Sequence, residues 1–122
     1  MKIALPVDEK DIKSNVCKSF GRAPYFLIYD TESKDSKFLD NSAAYSSGGA
    51  GIKAAQTIID QNVDALLIPR CGENAADVFQ AAGIKIFKTK FDSIQENIVT
   101  FLDQKLPLLA EIHPGFHGHG GH

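Results

Sequence analysis

Hydrophobic positions along the chain fall into short runs separated by polar turns. Lys2–Val7 alternates, with Ile3, Leu5 and Val7 on one face, and predicts a first strand. Asp8–Arg22 is a loop, charged at first and then small and polar, and Pro24 marks its exit. Tyr25–Asp30 is rich in aromatic and β-branched residues and predicts a second strand. The polar turn Thr31–Ser36 then predicts a hairpin into a third strand at Lys37–Asn41. Ser42–Gly51 is small and polar. After it, Ile52, Ala55, Ile58 and Ile59 set out the apolar stripe of a helix running to about Gln61.

Ala65–Ile68 is four apolar residues without alternation, the pattern of a strand buried on both faces. It stops at Pro69-Arg70-Cys71-Gly72, and a helix is expected at once from about Glu73 to Ala82, presenting Ala76, Phe79 and Ala82, with Val78 beside them. Gly83 has the position of a C′ residue, and Ile84–Lys88 reads as the fifth strand. Ser93-Ile94-Gln95-Glu96 fits a capping box opening a last helix, with Ile94, Ile98, Phe101 and Leu102 on its buried face and Pro107 at its end.

The order βββαβαβα is a meander followed by two crossover units, an α/β chain. If the strand after the meander pairs beside the first, the mixed five-stranded sheet has order 3-2-1-4-5. The loops Asp8–Arg22, Ser42–Gly51, Pro69–Asn74 and Lys88–Asp92 then emerge at one edge. Open α/β sheets take ligands at the carboxyl ends of their strands, so that edge is the candidate site.

The chain has 122 residues, enough for one domain with a core of its own. Residues 1–107 are expected to fold and 108–122 to form a His- and Gly-rich tail. A net charge of -2 and no basic excess speak against nucleic acid as a partner. No apolar run approaches a membrane span, and Met1–Val7 is too short for a signal peptide, so a cytoplasmic protein without membrane contact is expected. The two cysteines then read as free thiols.

Cys71 stands before a helix and beside Arg70, a setting that lowers a thiol's pKa and makes a thiolate ligand. Cys17 lies in a polar loop, and two thiolates sharing one soft metal or cluster are a candidate site. The alternative for Cys71 is a small buried residue near a strand end, a reading that explains Cys17 less well. Gly48, Gly49, Gly51 and Gly72 precede helices, where backbone N–H groups cradle anions, although a turn needing glycine explains them equally well. Arg22 and Arg70 supply positive charge, or are solvated surface residues. All four histidines, His113, His117, His119 and His122, are in the tail, spaced by glycine as flexible ligands for nickel, copper or zinc.

Phe20-Gly21-Arg22-Ala23-Pro24-Tyr25-Phe26-Leu27-Ile28-Tyr29-Asp30 resembles the signature of the dinitrogenase iron–molybdenum cofactor biosynthesis family, which includes NifX-like proteins and the C-terminal domain of NifB-like proteins. Gly49-Ala50-Gly51, Val63-Asp64-Ala65, Gly72-Glu73-Asn74-Ala75 and Ala82-Gly83-Ile84 follow in the family's order. The resemblance spans about Lys2 to Leu102. A molybdenum–copper–sulfide carrier, the orange protein, is similar too. The resemblance implies a ribonuclease-H-like, three-layer fold with helices on both faces. It also implies binding or carriage of an anionic metal–sulfur cofactor rather than catalysis, with Phe20, Gly21 and Arg22 in the site.

Two departures bear on ligands. Ser19 stands where family members often have His, and the loop before Gly49 lacks their usual Asn-Pro and His. Soft ligation therefore falls to Cys17 and Cys71, or the cargo differs. The leading expectation is a non-catalytic carrier of an iron–molybdenum-cofactor-like, iron–sulfur or thiomolybdate group, a monomer or weak homodimer that exchanges cargo with metallocluster-assembly or acceptor proteins. The alternatives are a nickel, copper or zinc chaperone or store acting through the tail, and a regulatory interaction module. A two-metal nuclease is disfavoured because no set of carboxylates converges in the pattern.

Overall fold

The computed structural model describes residues 1–45 and 48–109. Its elements, in chain order, are β1 (Lys2–Val7), β2 (Tyr25–Asp30), β3 (Ser36–Asp40), a 3₁₀ turn (Ser42–Tyr45), α1 (Ala50–Ile59), β4 (Ala65–Ile68), α2 (Glu73–Ala81), β5 (Lys85–Lys88) and α3 (Ile94–Leu102). The sheet has order β3-β2-β1-β4-β5, as the pattern predicted. β1 pairs antiparallel with β2 and parallel with β4, and β4 pairs parallel with β5.

Two cores lie on opposite faces of the sheet. One holds Ala4, Phe26, Ile28, Leu66 and Ile68 from the strands, against Ala54, Ala55 and Ile58 of α1 and Ala75, Ala76 and Phe79 of α2. The other holds Ile3, Leu5, Val7, Leu27, Ala65 and Leu67 against Ile94 and Ile98 of α3. All four residues of β4 are buried, which explains its lack of alternation.

The departures from the pattern have local causes. β3 ends at Asp40, and Asn41 leaves the sheet to be buried at 2% exposure, tying two loops. α1 buries Ala50, Ala54, Ala55 and Ile58, and leaves Ile52 exposed. Small residues face inward there because α1 lies close to α2: a Cβ placed on Gly51 would sit 3.7 Å from Ala75 Cβ. Ala82 is not on the buried face of α2. It is the C-cap, exposed, and Ala75 takes its place inside.

Gly83 is the C′ residue, with φ +77, and Ile84 N–H reaches back to Phe79 O at 3.0 Å. α3 is capped as expected, Ser93 Oγ accepting from Glu96 N–H at 3.2 Å. It stops at Leu102 rather than at Pro107, with left-handed Gln104 (φ 62) turning the chain away. Leu102 is exposed, and Phe101 is half-buried edge-on against Phe87 at 5.1 Å.

Beyond the 107/108 boundary the chain still touches the sheet. Leu108 bridges Phe87 antiparallel, and Leu109 N–H donates to Ile86 O at 2.9 Å. The tail histidines lie outside the described residues.

Candidate functional site

The carboxyl edge of the sheet is a network of loops held by backbone contacts. Cys17 N–H donates to Pro6 O and Val16 N–H to Asp92 O, both at 2.8 Å, so the first long loop lies across the ends of β1 and β5. Arg22 Nη1 donates to Ala44 O at 2.9 Å. Asn41 Nδ2 donates to Gly21 O (3.2 Å) and Ala23 O (2.8 Å), and its Oδ1 accepts from Ala43 N–H (3.2 Å).

Gly21 meets the start of α1. A Cβ built on it would lie 3.0 Å from Gly51 N and 3.1 Å from Gly51 Cα. A side chain here would force loop or helix to give way by a few tenths of an ångström. Gly21 thus has a packing reason that spacing alone does not reveal.

A cleft of about 260 Å³ opens at this edge, lined by Lys18, Ser19, Phe20, Arg70, Cys71 and Gly72. Gly72 is the N-cap of α2 in extended conformation and brings no side chain of its own to cap the helix. The first-turn N–H groups of a helix lack intrahelical acceptors and carry the positive end of its dipole. The cleft therefore combines two cationic side chains with a helix N-terminus, an arrangement suited to an anion. Phe20 closes its floor, packing on Phe26 (5.4 Å between centroids) and Phe79 (5.5 Å).

The Cys71 thiol does not behave as its position predicts. Cys71 is 1% exposed, and burial pushes its pKa up to about 11 instead of down. Desolvation of the thiolate outweighs both the helix end and Arg70. Its Sγ donates to Gly72 O at 3.4 Å. Cys17 is half-buried, and its pKa is raised as well, chiefly by burial, with the Asp8 carboxylate adding to the effect and the Ser19 backbone opposing it. Both thiols are free and pack against the same core.

Of the residues singled out in the sequence, Phe20, Arg70, Cys71 and Gly72 line the cleft, while Cys17, Gly21, Arg22, Gly48, Gly49 and Gly51 do not. Gly49 is the left-handed N-cap of α1 (φ 69), and Gly48 has open space around it. Among the described residues no group of three or more His, Cys, Asp or Glu is placed to hold a metal ion. Three residues went unread. Lys18 lines the cleft from within the Cys17–Phe20 segment. Asn41 and Asn97 are buried polar side chains at 2% and 0% exposure. The signal for Asn97 was present, as an amide on the apolar face between Ile94 and Ile98.

Fold and cleft together define a small α/β domain with an anion-suited pocket at the carboxyl edge of a mixed sheet. The chain belongs to the dinitrogenase iron-molybdenum cofactor family, whose model matches residues 1–104. It is 34% identical over 109 residues to an uncharacterised protein of Methanocaldococcus jannaschii, MJ0580, covering 87% of this chain and 89% of that one. The apo form of the orange protein from Desulfovibrio gigas superimposes with a TM-score of 0.85 at 31% identity, covering 89% of this chain and 92% of the other. TM1290 of Thermotoga, assigned as a NifB protein, superimposes with a TM-score of 0.80 at 33% identity, over 93% of this chain and 97% of its own.

Proposed function

We propose that this chain is a non-catalytic carrier that holds an anionic metal–sulfur group at the carboxyl edge of its sheet. The cargo class is a cluster of the iron–molybdenum-cofactor or iron–sulfur type, or a thiomolybdate. The observation that carries the reading is the cleft in which Lys18, Arg70 and the glycine-capped start of α2 converge, in a chain whose net charge is -2. Family membership supports it, since that family is described by the dinitrogenase iron-molybdenum cofactor.

Cargo is held by charge and by N–H groups. Cys71 sits beside it as a neutral thiol, because burial favours the protonated form at neutral pH. In this reading the domain is ribonuclease-H-like and includes Leu108 and Leu109, which pair with β5, so its His- and Gly-rich tail starts later than residue 108. It works in the cytoplasm with proteins that donate or accept metalloclusters. No helix among the described residues is long and apolar enough to cross a membrane.

The test is anaerobic uptake by the full chain with its four tail histidines changed to Asn, which removes their own affinity for metal. The protein is incubated with tetrathiomolybdate, or with ferrous iron and sulfide, then desalted. Metal and sulfide per chain are measured together with charge-transfer absorption. Retention is expected, and Lys18→Glu combined with Arg70→Glu should weaken it at least ~10-fold, the scale of losing charge-assisted contacts. Retention that ignores the charge reversal, or retention of neither cargo, would overturn the proposal.

A further inference from the structure

The loop from Thr89 to Asp92 is held unusually firmly for a surface segment. Asn97 is fully buried and directs four hydrogen bonds at it and its exit. Its Oδ1 accepts from the N–H groups of Lys90 (3.0 Å) and Phe91 (3.2 Å). Its Nδ2 donates to Phe91 O (2.7 Å) and Ser93 O (2.8 Å). Thr89 N–H adds a bond to Ile68 O at 3.1 Å, and Asp92 O accepts from Val16 N–H at 2.8 Å. Yet Phe91, whose backbone takes two of the Asn97 bonds, leaves its side chain 43% exposed. A large apolar side chain fixed in water on a rigid loop has no role in either core.

Its surroundings are charged. Phe91 borders a cleft of about 130 Å³ together with Val16, Lys18, Pro69, Thr89, Lys90 and Asp92. Lys18 also lines the neighbouring cleft with Arg70. Two lysines, Lys18 and Lys90, therefore stand with one carboxylate, Asp92, around an exposed aromatic ring, in a chain that is acidic overall.

We propose that Phe91 and these cations form a docking surface for an acidic protein partner. The partner presents an apolar side chain flanked by carboxylates. The apolar group packs on Phe91, and the carboxylates pair with Lys18 and Lys90. The Asn97 bonds order the anchor before the partner arrives, which reduces the entropy lost on binding. Aromatic anchors ringed by polar groups carry much of the energy of such interfaces, and complementary charge speeds encounter and fixes orientation. A second copy of this chain suits the surface poorly, because a twofold interface would bring the same two lysines face to face. The inference rests on the loop and its charges, not on the carrier reading, so the two fail separately.

The test is a titration of the full ¹⁵N-labelled chain with a short peptide of alternating glutamate and leucine. Its controls are a glutamate–serine peptide and a lysine–leucine peptide. Binding should perturb the amides of Lys18 and of residues 89–92, and should weaken as salt is raised. Phe91→Ser and Lys90→Glu lie at exposed positions and should keep the fold, checked by thermal melting. Each should weaken binding about 10-fold or more.

No binding of the acidic peptide, binding equal to that of the lysine–leucine peptide, or binding unchanged in both variants overturns the proposal. Self-association of the native chain that Phe91→Ser abolishes would reassign the surface to a second copy. Tighter binding of an RNA oligonucleotide would reassign it to nucleic acid.

Discussion

Replacing Gly21 with Ala tests whether the glycine of the Phe20-Gly21-Arg22 segment serves packing. The added Cβ would lie 3.0 Å from Gly51 N, 3.1 Å from Gly51 Cα and 3.3 Å from Ala50 C, all of them backbone atoms. Comfortable carbon contacts begin near ~3.5 Å, so helix or loop must retreat by several tenths of an ångström. α1 has little room, because Ala54, Ala55 and Ile58 are sealed at 0% exposure. Moving the loop instead disturbs the Asn41 bonds to Gly21 and Ala23. Overpacking of this kind costs about 1–3 kcal/mol. The loss of glycine's freedom in the unfolded chain returns up to ~1 kcal/mol. A net destabilisation of about 1–2 kcal/mol is expected. In urea, with a slope of roughly 1–3 kcal/mol/M, the unfolding midpoint should fall by about 1 M. Gly48→Ala is the control: nothing lies within 4 Å of its Cβ, and its effect should stay within ~0.5 kcal/mol. A Gly21→Ala protein as stable as the native one would refute the packing account.

Three further outcomes follow from buried groups. Asn97→Ala strands the Lys90 and Phe91 N–H groups, and should cost about 3 kcal/mol in denaturant unfolding and speed amide exchange in that loop, where unchanged exchange would contradict the clamp. Below pH 9.0 both folded and unfolded chains keep the Cys71 proton, but as pH rises toward about 11 only the unfolded thiol ionises, so stability is lost. The native-minus-Cys71→Ala difference in unfolding free energy should therefore shrink across that window; a constant difference would show that the thiol is not desolvated. Cys71→Ser should still retain cargo, since a neutral thiol contributes no charge, and loss of cargo from a folded variant would make the sulfur a ligand.

Much of the fold was legible because its physics is local. Alternation in β1, the uninterrupted run of β4 and the glycine after α2 each mark one element, and the crossover pattern then orders the sheet. The helix faces were read less well. Ile52, Ala82 and Leu102 fit an apolar stripe, yet all three are exposed. α1 is turned by its contact with α2, while α2 and α3 stop where Ala82 and Gln104 break them. Such causes are tertiary.

The candidate site divides in the same way. Arg70, Cys71 and Gly72 were found because a strand ends there and a helix begins. Lys18 was missed because only the fold brings its loop across the end of β4. The protonation of Cys71 was misjudged for a related reason. Sequence shows the neighbouring Arg70 and the following helix, but not the packing that excludes water from the thiol.

The most direct test of the carrier account is the amide spectrum of the ¹⁵N-labelled chain during anaerobic titration with tetrathiomolybdate. The account predicts saturable shifts at Lys18, Ser19 and Phe20 and at Arg70–Glu73, the two segments that meet at the start of α2. Shifts confined to the tail histidines, or to the opposite edge near Lys2 and Asp64, would contradict it.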